Sequence, residues 1–110
     1  MITTHVLDTA RGRPAAGVPV VLERAIADAW ELLGTGATDA DGRLRDLVSA
    51  GAALEDGRYR LTFDTAAYFR TAGETGFYPE VSVVFTVAGG EHHHVPLLLS
   101  PFGYSTYRGS

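Results

Sequence analysis

An all-β fold of two packed sheets is the expectation for this chain, and three observations carry it. Short runs alternate apolar and polar residues, as in a half-buried strand. Tyr59, Leu61 and Phe63 oppose Arg58, Arg60 and Thr62, and Val81, Val83, Phe85 and Val87 repeat the pattern. Gly, Pro and Asp punctuate these runs as turn signals. The connections are too short for successive βαβ crossovers, which need a dozen or more residues each. The prediction is a two-sheet sandwich of about seven or eight strands with one short helix.

Taken in order, Ile2 to Leu7 reads as a first strand, in which His5 shares parity with Thr3 and Leu7. Asp8 to Gly17 is turn-like, broken by Gly12, Pro14 and Gly17. Val18 to Arg24 and Trp30 to Thr35 are the next strands, joined by a hairpin connection over Ala25 to Ala29. Thr38 to Arg43 is a tight acidic turn around Asp41-Gly42, because glycine accepts positive φ without strain. A short strand or irregular edge follows through Leu47. Ala-rich Val48 to Glu55 predicts a loop with room for one helical turn. Arg58 to Asp64 is a clear strand. A short helix follows, capped by Asp64 or Thr65 and stopped by Gly73. After the Glu74 to Pro79 loop comes the Val81 to Val87 strand. Gly89-Gly90 predicts a hairpin into the histidine strand, and Tyr104 to Tyr107 a last edge strand.

Composition bounds the function. A chain of 110 residues fits one domain, here residues 1–110, and can bury only a modest core that oligomerisation would reinforce. Hydrophobic residues make up 45% and charged residues 20%, an ordinary globular balance. The net charge is -4 and no basic cluster exists, which argues against nucleic acid as a partner. All nine basic residues are arginine, so lysine Schiff-base chemistry is excluded. The absence of cysteine excludes disulfides, cysteine nucleophiles and thiolate metal sites. No apolar run reaches membrane-spanning length, and no leader-like segment follows Met1, so the cytoplasm is the expected compartment.

The chemistry concentrates in the closing stretch, EHHHVPLLLSPFGYSTYRGS. On a strand, His92 and His94 share one face, while His93 points the other way with Val95, Leu97 and Leu99. His5 is distant in the chain, but a first strand can lie beside a late one. Three histidines can supply a zinc centre with an open position, or a metal-free acid–base pair, and spacing alone does not choose. Arg43, just after the Asp-Gly turn, is either a solvated arginine paired with Asp39 or Asp41, or a planar cation that grips a carbonyl-rich substrate. Arg108, between Tyr107 and Gly109, is suited to anchor the tail. Ser110 adds a hydroxyl at the terminal carboxylate, without a base triad that would make it a nucleophile.

Four stretches in this order, THVLDTARGRPAAGVPV, TDADGR, FYPEV and HHHVPLLLSPFGYSTYRGS, resemble the 5-hydroxyisourate hydrolase family, the transthyretin-related enzymes of purine catabolism. The likeness covers essentially the whole chain, and the closing Tyr107-Arg108-Gly109-Ser110 is its hallmark. The resemblance implies a prealbumin-like sandwich of two four-stranded sheets with a short helix. It implies a homotetramer, a dimer of dimers, with active sites at both mouths of a central channel. It also implies hydrolysis of 5-hydroxyisourate to 2-oxo-4-hydroxy-4-carboxy-5-ureidoimidazoline. A mechanism without metal or cofactor is the expectation, because no carboxylate of obvious ligand character stands near the histidines. The family's catalytic positions fall on His5, Arg43 and His94. Its substrate-facing positions fall on His92, Tyr107, Arg108, Gly109 and Ser110. His93 departs from the pattern, where tyrosine is expected. The competing expectations are a transthyretin-like small-molecule carrier, a zinc-dependent amidohydrolase on the same histidines, and a purely structural sandwich.

Overall fold

The computed structural model describes residues 1–49 and 52–110. In chain order these form β1 (Ile2–Asp8), β2 (Arg13–Pro14), β3 (Pro19–Ile26), β4 (Ala29–Ala37), β5 (Arg43–Leu44), β6 (Gly57–Phe63), α1 (Thr65–Thr71), β7 (Val81–Val87), β8 (His93–Ser100) and β9 (Gly103–Thr106). One sheet runs β2-β1-β8-β9, with β5 also on β1; the other runs β4-β3-β6-β7. The predicted all-β sandwich with one short helix is therefore what forms. Two strands of only two residues, β2 and β5, raise the strand number above the expectation. Both attach to the edge of β1 that β8 leaves free, β2 at Leu7 and Asp8, β5 at Thr4 and His5.

Alternation decides which faces meet. Ile2 and Val6 of β1 and Val95, Leu97 and Leu99 of β8 are buried on one sheet. Val20 and Leu22 of β3, Tyr59, Leu61 and Phe63 of β6, and Val81 and Val87 of β7 answer them from the other. This apolar interlayer is the main favourable term for a sandwich. Away from it, the outer face of the second sheet mixes polar and apolar residues: Arg60 pairs with Glu23 at 2.8 Å and stacks on Trp30 at 4.3 Å, while Leu32 and Val84 are exposed.

Local chemistry sets the ends of elements. Asp64 caps α1 by accepting the Ala67 N–H at 3.0 Å. Gly73, at φ 75°, closes it: Gly73 N–H donates to the Arg70 carbonyl and Glu74 N–H to the Phe69 carbonyl. The β3–β4 hairpin is tighter than expected, because the two strands continue to Ile26 and Ala29, and Ala27 takes φ 51° at its tip. At Gly34 a side chain would collide with the Leu47 carbonyl oxygen, so β4 admits the segment after β5 only as glycine. The predicted Val48 to Glu55 loop is irregular in its described part, with Ala52 N–H donating to the Ser49 carbonyl; residues 50 and 51, and any turn over them, lie outside the described residues.

The Gly89-Gly90 hairpin is a correction. Both glycines adopt positive φ, as a turn requires, but β7 pairs with β6 and β8 with β1 and β9. The turn carries the chain from one sheet to the other. A Gly-Gly pair permits reversal without choosing between edge pairing and crossing to the facing layer.

A buried polar knot fastens the helix to β1. Asp8 is 2% exposed; its Oδ2 accepts the Tyr68 hydroxyl at 2.6 Å and its Oδ1 the Arg11 N–H at 3.0 Å. Burial, then the Asp8 bond, push the Tyr68 phenol up to about 12. Tyr68→Phe should cost about 1–3 kcal/mol in chemical denaturation, because it strips the donor from a buried carboxylate oxygen. A loss under about 0.5 kcal/mol would show that Arg11 alone satisfies Asp8.

Candidate active site

Two ladders meet on β1. Parallel pairing sets Thr3 opposite His94, and antiparallel pairing sets His5 opposite Arg43. Cross-strand partners share a face, so these four side chains project from the outer face of the sheet. His92, just before β8, joins them, with its Nε2 2.8 Å from the Thr3 hydroxyl oxygen. His93 turns inward as expected and is 4% exposed; its Nδ1–H donates to the Glu91 carbonyl at 2.8 Å.

Thr3, Arg43, Arg45, His92, His94 and Ser110 line one pocket of about 160 Å³. Arg43 is positioned by its backbone. Asp39 accepts the N–H groups of Asp41 and Arg43 at 2.9 and 3.0 Å. These bonds, the one from Arg43 foremost, hold the Asp39 carboxyl below its ordinary value. The alternative in which the Arg43 guanidinium pairs with Asp39 or Asp41 does not form: among the described residues it enters no ion pair. The turn thus aims the arginine and leaves its fork open.

His94 is half-buried, as is His5, while His92 is exposed. Burial lowers the His94 pKa from 6.5, and Arg43, His92 and His5 lower it further, so the His94 imidazole is neutral near pH 7. Its Nδ1 lies 2.8 Å from the Thr3 hydroxyl oxygen. His5 stands beside Arg43 in the ladder without lining the pocket. Its Nε2–H donates to the Asp41 carbonyl at 2.9 Å, which leaves Nδ1 as its free nitrogen when neutral.

The tail divides. Gly109 N–H donates to the His94 carbonyl at 2.9 Å. A Cβ there would stand 2.5 Å from His94 Cδ2 and 3.1 Å from Pro96 Cγ, so only glycine lies flat against the ring. Ser110 then reaches the arginine pocket, while Tyr107 and Arg108 line a neighbouring hollow of about 200 Å³ with Phe85, Thr86 and His93. His94 lines both. Arg108 is tethered to Glu91 at 3.0 Å, but both side chains are about two-thirds exposed, so the pair contributes little. Structure therefore gathers Arg43, His92, His94 and Ser110, puts His5 alongside, and places Tyr107 and Arg108 next door. Thr3 and Arg45 were not anticipated. Their signal was parity, Thr3 with His5 and Arg45 with Arg43. Among the described residues no three His, Cys, Asp or Glu side chains form a group able to hold a metal ion.

A sandwich whose first strand lies parallel to its penultimate one, with arginine and histidine gathered beside that seam, defines a transthyretin-type fold bearing a polar site. Residues 2–109 match the HIUase/Transthyretin family, and the chain belongs to it. It is 48% identical over 111 residues to the 5-hydroxyisourate hydrolase of Salmonella typhimurium, covering 100% of this chain and 81% of that relative. Among solved structures it is similar to Klebsiella pneumoniae 5-hydroxyisourate hydrolase, with a TM-score of 0.86, 42% identity and coverage of 99% and 98% of the two chains. It is also similar to sea bream transthyretin solved with thyroxine, with a TM-score of 0.90, 36% identity and coverage of 98% and 93%.

Gly109→Ala should push the tail off β8 while the sandwich survives. The amide of residue 109 should lose its hydrogen-exchange protection, with global stability changed by less than about 1 kcal/mol. Unchanged protection would mean that the ring yields and the tail does not need glycine.

Proposed function

We propose that this chain is a 5-hydroxyisourate hydrolase acting in urate degradation. The observation that carries the reading is the convergence of Arg43, His92, His94 and Ser110 in one pocket, in a chain 48% identical to a relative of that name. Arg43 and Arg45 line the pocket and, among the described residues, no Asp or Glu side chain does, which suits a flat ring rich in carbonyl oxygens. A carrier reading has less support, because a hydrophobic cargo gains nothing from two arginines and two histidines at its seat.

The proposed reaction is cyclic amide hydrolysis. Neutral His94 takes a proton from water through Nε2 as the water oxygen bonds to a ring carbonyl carbon. Arg43 holds the carbonyl oxygens and stabilises the charge that builds there. The carbon–nitrogen bond then breaks, and the leaving nitrogen receives the proton from the His94 imidazolium, giving the ring-opened 2-oxo-4-hydroxy-4-carboxy-5-ureidoimidazoline. His5 supports as a neighbouring imidazole, His92 and Ser110 face the substrate, and Tyr107, Arg108 and Gly109 hold the tail in place. The proposed chemistry needs no metal. Stoichiometric zinc whose removal abolishes turnover, with recovery on its return, would overturn that part.

We also propose a homotetramer, a dimer of dimers. Among the described residues no element covers the site-bearing face, where Leu98 lies on the same side as His94. An active monomer in sedimentation would refute this.

The decisive test is turnover of freshly generated 5-hydroxyisourate, followed by absorbance; no acceleration over the spontaneous reaction would end the enzyme reading. Since burial and Arg43 depress the His94 pKa, its neutral form persists as pH falls through 6.5, and kcat/KM should decline only below that value. Arg43→Gln removes a positive neighbour and should move this acid limb upward. Arg43→Lys keeps the charge and the limb but loses the planar fork, so its efficiency should drop about tenfold or more. Near-native efficiency in the lysine variant would exclude a bidentate role.

A further inference from the structure

Thr3 has no assigned part in the reaction, yet its hydroxyl is the meeting point of two site histidines. Its oxygen lies 2.8 Å from His92 Nε2 and 2.8 Å from His94 Nδ1, with the two rings 6.4 Å apart at 61°. Thr3 is 4% exposed and sits directly opposite His94 in the parallel ladder, so neither its backbone nor its stiff β-branched side chain is free to wander.

A hydroxyl carries one proton. It can donate to one ring nitrogen while it accepts an N–H from the other. It can also accept from both rings, but among the described residues no third group takes its proton, so two chains of hydrogen bonds are available. In one, His94 Nδ1–H donates to Thr3 and Thr3 donates to His92 Nε2. Neutral His94 then has its lone pair on Nε2 and can act as a base. In the other, His92 Nε2–H donates to Thr3 and Thr3 donates to His94 Nδ1. Neutral His94 then carries its proton on Nε2 and cannot accept one from water there. The direction of one hydroxyl thus decides whether the imidazole is a base.

We propose that Thr3 is a positioning residue that fixes the His94 tautomer, and that His92 governs it through the Thr3 hydroxyl. This rests on the hydrolase reading of the same pocket. It gives His92 an effect on the chemistry without contact with the reacting atoms: only with Nε2 unprotonated does His92 keep His94 in its basic form. No bond other than hydrogen bonds changes in this step. The same geometry persists after His94 takes the water proton, because the imidazolium still donates from Nδ1 to Thr3 and keeps Nε2–H for the leaving nitrogen.

Two readouts test it. Nitrogen-15 NMR of the native protein, at a pH where His94 is neutral, should show His94 protonated on Nδ1. Thr3→Val keeps the shape and deletes the hydroxyl; His94 should then populate both tautomers, and kcat should fall about tenfold with KM changed less than about twofold. Thr3→Ser should restore both the tautomer and kcat. His92→Gln and Thr3→Val should be strongly non-additive in kcat, because both cut the same chain. A native His94 protonated on Nε2 would overturn the inference, even if the valine variant failed to fold. So would a folded Thr3→Val with native tautomer and kcat. The tautomer measurement needs no substrate, so a protein inert toward 5-hydroxyisourate would sink the functional reading and leave this one to be judged by NMR.

Discussion

The parallel pairing of β1 with β8 is the constraint on which the rest of the structure depends. It joins residues 91 positions apart, Thr3 and His94 among them, along a register that runs from Ile2–His93 to Asp8–Leu99. Side chains in strands alternate with a period of two, so a slip of one residue would send His92 and His94 inward and Leu97 and Leu99 out. The apolar set Val95, Leu97 and Leu99 forbids that slip because its burial stabilises only one register. The core thus holds the site in place without contributing an atom to it.

Parallel pairing has a cost that the rest of the chain must meet. Parallel ladders are slightly weaker per residue, and closing so long a loop is entropically unfavourable before any contact forms. The second sheet supplies the compensation, a facing apolar layer from β3, β6 and β7. The Asp8–Tyr68 bond then ties the helix to the end of β1, and the Thr4 hydroxyl donates to the Val95 carbonyl at 2.6 Å across the seam itself. The same strand that builds the core therefore arrives rigid at the pocket.

Electrostatics in the pocket runs against its surroundings. The chain carries a net charge of -4, yet Arg43 and Arg45 gather at one end of the first sheet beside the histidines. Burial first and Arg43 next keep His94 neutral, and the Asp39 carboxylate that could have answered Arg43 is occupied with the backbone of its own turn. Neutral imidazole and open guanidinium are two outcomes of one arrangement.

Much of this was legible in the residues. Alternation over Arg58 to Asp64 and Val81 to Val87 marked strands, Asp64 and Gly73 marked the helix ends, and the parity of His92, His93 and His94 foretold which imidazole would be buried. These are local rules, and local sequence carries them. What tertiary structure alone decided was partnership. The Gly89-Gly90 turn does not say which sheet the chain enters next, and nothing near Thr3 says that two histidines will close on its hydroxyl. Nor does the tail's sequence show that Gly109 lies against His94 while Tyr107 and Arg108 serve the neighbouring hollow. Strand order is a property of the whole set of buried faces, because each strand offers two edges and the core selects among them only once all its layers are present.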